Sequence, residues 1–149
     1  MRNPAEASQL KDMVRLRALQ FTLAEKQSQK MGHAVDDAKE RCATARSDLG
    51  STIKAWRTAI EGPCPDMMII SGWSIAVCDS RDDLQARERD VEQARENHSQ
   101  AEEAWRLALL RKDVTEQLYH DAQRALHRKS DERATFEAGE RHIVRRLRP

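Results

Sequence analysis

Five histidines, His33, His98, His120, His127 and His142, are the side chains best suited to proton transfer or metal binding near neutral pH. They are scattered, and no HExxH pair puts two of them on one helical face. The three cysteines, Cys42, Cys64 and Cys78, are odd in number and lack CxxC spacing. That argues against a zinc site or a disulfide framework and suits a reducing compartment. Carboxylate pairs such as Asp82-Asp83 and Glu102-Glu103 could in principle share acid and base roles, but they fall on solvated helix faces. No Gly-rich phosphate loop or nucleophile motif is present. The expectation is a protein that is not an enzyme and carries no metal or cofactor.

The elements that would position these residues are helices. In 149 residues, 34% are charged, 4% are aromatic, and only five Gly and four Pro interrupt the chain. Such a composition belongs to long helices and coiled coils. A seam of alternating three- and four-residue steps runs through Leu10, Val14, Arg17, Phe21, Ala24, Ser28, Met31, Val35, Ala38, Cys42, Ala45, Leu49, Thr52, Trp56 and Ala59. A second seam starts at Leu84 and Arg87 and passes Val91, Ala94, His98, Ala101, Trp105, Ala108, Lys112, Thr115, Tyr119, Ala122 and Leu126. It continues toward Phe136, Ile143 and Leu147. Gly62-Pro63 ends the first pattern, since proline removes a donor and pushes its predecessor away from helix. The fold expected is all-α, a long antiparallel two-helix coiled-coil hairpin in a single domain, 1–149. Its arm one covers about 5–60, its turn about 61–78 and its arm two about 79–147, capped by Asp79 or Ser80. A turn centred near Met67 would set Leu49 against Leu84, Met31 against Trp105 and Leu10 against Leu126. A monomer is expected, with a four-helix dimer as its rival.

Three surfaces stand out beside the seams. Leu107, Leu110, Val114 and Leu118 form a stripe next to the second seam, explained either by a drift of that seam into the core or by an exposed ribbon awaiting a partner. The stretch Met67 to Val77 is the most apolar in the chain, either a self-packed cap over the turn or a binding patch. Charge is divided along the chain: six bases and three acids in 1–30 (net +3), four and eleven in 61–104 (net −7), eight and four in 124–149 (net +4). Arg141, Arg145, Arg146 and Arg148 make the last segment strongly basic, either as a solvated tail or as a docking end. A near-neutral total and the lack of aromatics in that tail argue against nucleic acid as its partner. No apolar run reaches the roughly 20 residues of a bilayer span, and the first residues lack the apolar core of a signal peptide. A cytoplasmic protein without membrane insertion is expected.

The early helix start Leu10-Lys11-Asp12-Met13-Val14-Arg15-Leu16-Arg17, the stretch from Ala104 to Leu118 and the basic end resemble the FliJ/YscO-like stalk proteins of type III secretion. The resemblance covers nearly the whole chain. It implies a bacterial cytoplasmic stalk, peripheral to a membrane-embedded secretion apparatus and similar to the γ subunit of rotary ATPases. Such a stalk couples a hexameric secretion ATPase to the export gate protein and engages secretion chaperones. In that setting the arginines at 141, 145, 146 and 148 would enter the ATPase ring, and the 107–118 stripe would meet the gate or a chaperone. The alternative class is a generic coiled-coil adaptor or structural spacer without ATPase contact.

Overall fold

The structure, a computed structural model, describes the backbone of residues 4–146 and the side chains of residues 7–141. Two helices account for nearly all of it: α1, Pro4–Glu61, and α2, Met67–Arg146. The chain is an all-α helical hairpin, and no strand occurs among the described residues. Proline suits the first turn of α1, where its missing N–H would have had no acceptor. The break falls at Gly62-Pro63, as the chemistry of that dipeptide requires.

The start of the second arm differs from the sequence expectation. Helix α2 begins at Met67, not near 79, and the turn is confined to residues 62–66. Asp66 is the cap: its Oδ1 accepts the Met68 backbone N–H at 2.8 Å, and its carbonyl accepts the N–H of Ile70 at 2.9 Å. Asp79 and Ser80 therefore lie inside the helix rather than ahead of it. The physical reason is that Met67 to Ile70 contain nothing that breaks a helix, and Gly72 costs only about 1 kcal/mol there. A capped start beats a long apolar loop.

Packing divides the chain into two compact units, residues 25–104 and residues 1–24 with 105–149. In the first, Val35, Ala38, Cys42 and Ala45 of α1 and Val91 of α2 are buried, with Leu84 and Ala94 packed against the Ala38–Cys42–Val91 cluster. Small side chains let the helices approach closely. At Gly32 the His98 side chain fills the space left by the missing side chain: a Cβ there would sit 3.4 Å from His98 Nε2. Arg46 reaches Glu88 across the helices at 3.3 Å, an exposed pair worth under about 1 kcal/mol. Leu49 and Leu84 line one groove.

The second unit buries only Ala122 and Thr115 among its described residues. Its seam also carries Arg17 and Lys112, both half-buried. Phe21 sits between the levels of Trp105, 6.4 Å between ring centroids, and Lys112, whose Nζ is 5.2 Å from the Phe21 centroid. Trp105 was expected level with Met31. The shorter turn, centred nearer Cys64 than Met67, moves the pairing toward the start of α1. Burial on α2 ends at Leu126, and every residue from His127 to Arg141 is exposed.

Candidate interaction surface

The seams settle where the lateral stripe lies. Every α1 seam position from Leu10 to Ala59 is buried or half-buried, and so is every α2 seam position from Leu84 to Leu126. Heptad letters follow from this: Val14, Phe21, Trp105 and Lys112 are a positions, and Arg17, Ala24, Ala108 and Thr115 are d. Leu107 and Val114 then fall at c, Leu118 at g and Leu110 at f, outside the packed face. All four are exposed, Leu110 by 61% and Val114 by 53%. The drift reading, in which these side chains are core, is therefore excluded. They form a ribbon.

A matching ribbon on α1 was missed in the sequence. Met13, Leu16, Leu19 and Leu23 are exposed, Leu23 by 68%. Their signal was available, because Leu16, Leu19 and Leu23 also step by three and four beside the seam. Val14, Arg17 and Phe21 carry the stronger seam periodicity, and Leu16, Leu19 and Leu23 share their spacing two positions along.

In an antiparallel pair, g and c positions of both helices share one side and e and b positions share the other. The e-to-e pair Arg46–Glu88 follows this rule, as does the groove lined by Lys39, Ala43, Arg46, Glu88, Glu92 and Arg95. Applied to the unit containing Trp105, the rule puts Met13, Leu16 and Leu23 on the same side as Leu107, Val114 and Leu118. The other side carries Lys11, Arg15, Arg106, Asp113, Glu116 and His120. This unit is mainly apolar on one flank, where Gln20 and Arg111 also lie, and mainly charged on the other, where Leu109 also lies.

The turn end supplies a second apolar surface. Met67, Met68, Ile69 and Ile75 are exposed, Met68 by 85%, and Trp73 is partly so. A self-packed cap over the turn is overturned: as the first turns of α2, these residues radiate around a helix that α1 covers on one side only. Trp56 is half-buried nearby in sequence to the turn, its indole N–H buried without a protein acceptor.

Of the basic-tail residues, Arg141 is exposed and pairs within its own helix with Glu137 at 3.4 Å. The backbone of Arg145 and Arg146 is helical, their side chains lie outside the described residues, and Arg148 lies outside them altogether. Among the described residues no group of His, Cys, Asp or Glu could hold a metal ion, and no helix is long and apolar enough to cross a membrane. His98 faces Glu102 at 3.9 Å on its own helix, and Cys42 is buried in the seam while Cys64 and Cys78 are exposed. No family model matches the chain, and neither a curated protein nor a solved structure is similar to it.

Proposed function

We propose that this chain is a non-enzymatic protein-binding stalk, the central-stalk component of a type III secretion export apparatus. In this role it couples a hexameric secretion ATPase to the export gate protein and engages secretion chaperones from the cytoplasmic side. One observation supports the coarser part, a stalk that binds protein along its flank: the ribbon Leu107, Leu110, Val114 and Leu118 is exposed although the seam beside it is fully used. Solvated apolar ribbons of this kind mark interaction surfaces. The choice of a secretion ATPase and gate as partners rests on the resemblance of 10–17, 104–118 and the basic end to FliJ/YscO-like stalks.

The division of labour follows from chemistry. The basic end, Arg141, Arg145, Arg146 and Arg148, steers the chain to an acidic ring mouth and sets register, acting over a Debye length of about 8 Å at physiological salt. The ribbon holds an apolar partner with little salt dependence.

The test is capture of candidate secretion ATPases and gate proteins by the full chain, followed by ATP hydrolysis across a salt series. Leu110→Gln with Val114→Gln should reduce capture of gate or chaperone about 10-fold or more while helicity is kept. Reversal of Arg145, Arg146 and Arg148 to Glu should abolish stimulation of the ATPase at low salt. Unchanged stimulation would remove the tail from the drive contact. Capture of a partner with no effect on hydrolysis by any candidate ATPase would leave an adaptor, and the stalk reading would fall.

A further inference from the structure

The two ribbons of the unit containing Trp105 combine into one face, and that face has a property neither ribbon has alone. Phe21 lies between Trp105 and Lys112, so counting outward along antiparallel helices sets the levels. Leu23 is level with Leu107, Gln20 with Arg111, Leu16 with Val114, and Met13 with Leu118. At each level the two helices present the same kind of side chain. Three levels are apolar on both helices, and the fourth is polar on both.

We propose that this face binds a second copy of the chain, with like ends together, to form a local four-helix bundle. A two-fold axis parallel to the helices lays α1 of one protomer over α2 of its partner at the same level. There Leu16 covers the partner's valine level, Leu23 covers the leucine level, and Gln20 meets the arginine level, so no apolar side chain opposes a charge. The reversed dimer fails this match: in one register it sets Leu16 against a glutamine level and a valine against Arg111, and in the next it sets two copies of Arg111 against each other, which is repulsive. Self-complementarity of this kind is what an isologous interface requires.

The area agrees. Met13, Leu16, Leu23, Leu107, Val114 and Leu118 are each between 43% and 68% exposed, which amounts to roughly 600 Å², at the upper end for a monomer's largest apolar patch. With the polar level of Gln20 and Arg111 it approaches the about 800 Å² per partner of a standard interface. The seam beneath is weak, with Arg17, Lys112 and Thr115 in it, so a second layer has something to stabilise. The dimer goes beyond the secretion-stalk reading and does not depend on it. It uses the same flank as the gate or chaperone contact, so the two occupancies exclude each other.

Sedimentation equilibrium of the full chain between about 1 and 100 μM covers the range expected of an interface this size. The apparent mass should rise from 17.1 kDa toward twice that value. Leu16→Gln with Leu23→Gln, both on α1 and away from the residues varied in the capture test, should shift the midpoint at least 10-fold upward with helicity kept. The single change Met13→Gln gives an independent reading if the double variant loses helicity, and Leu19→Gln, at the rear f position, should leave the midpoint unmoved. Orientation is read in a Cys64→Ser, Cys78→Ser background: Gln20→Cys chains mixed with Arg111→Cys chains should cross-link faster than either alone. A monomer throughout, a dimer indifferent to the α1 changes, or faster cross-linking of Arg111→Cys with itself overturns the proposal.

Discussion

Residues 25–104 and the pairing of residues 1–24 with 105–149 share one heptad spacing but spend their apolar side chains differently. In the first unit, small residues such as Ala38, Cys42 and Ala45 are buried in the seam, and the flank around the grooves is charged, with Asp37, Glu40, Asp48 and Asp83 along one side. In the second, the seam holds Arg17, Lys112 and Thr115 among its apolar residues, while Leu16, Leu19, Leu23, Leu107, Leu110 and Leu118 stand exposed outside it. A coiled coil is stabilised by what fills a and d; what sits at c, f and g serves whatever comes next to it. The contrast separates a segment whose small apolar side chains are buried in its seam from one that also carries a row of exposed apolar side chains along its flank.

That contrast can be broken most forcefully at Ala38. Ala38→Asp puts a carboxylate where the side chain is 2% exposed, and a buried unpaired charge should lower stability by about 3 kcal/mol or more, read by urea unfolding. The same carboxylate at Leu110 should leave unfolding within about 0.5 kcal/mol. If both positions respond alike, the ribbon is core and the distinction fails. A middle-sized effect is expected at Lys112, which is half-buried in the seam and pairs with Glu116 at 3.7 Å. Lys112→Leu exchanges a weak exposed-type ion pair and a cation–π contact with Phe21 for apolar burial. A gain of about 1 kcal/mol should appear as slower amide exchange in residues 14–24 and 108–122. The smallest change is at Gly50, where a Cβ would meet nothing within 4 Å. Gly50→Ala should add about 0.5 to 1 kcal/mol by helix propensity alone, seen as a melting point raised a few degrees.

Much of this architecture was legible because the seam periodicity is a local property. Each step of three or four residues needs only the helix to continue, so Leu10 to Ala59 could be assigned to one face without knowing their partners. The turn was less legible because two signals competed. Asp79-Ser80 ahead of Asp82 and Asp83 looks like a helix start, whereas the operative cap, Asp66, stands before four apolar residues that resemble a buried loop. Choosing between them depends on whether exposed Met67 and Met68 are tolerable, and a single chain's sequence does not record what covers them. The ribbon on α2 was visible, but its exposure depended on register, fixed by where Phe21 meets Trp105 and Lys112. Its counterpart at Met13, Leu16 and Leu23 needed the antiparallel side rule, a tertiary fact.

The three tryptophans are distributed so that each reports on a different place. Trp105 belongs to the unit with the polar seam, Trp56 to the unit with the small-residue seam, and Trp73 to the exposed start of α2. Trp56 and Trp105 keep their indole N–H groups out of solvent, while Trp73 is partly open to it. Emission from chains retaining one indole at a time, the other two replaced by Phe, therefore gives three separate optical channels. The Trp105 channel should shift to longer wavelength at lower denaturant than the Trp56 channel, and the Trp73 channel should respond first to anything that settles on the turn. Melting of one segment and occupancy of another become distinguishable by colour in a single cuvette, without a label.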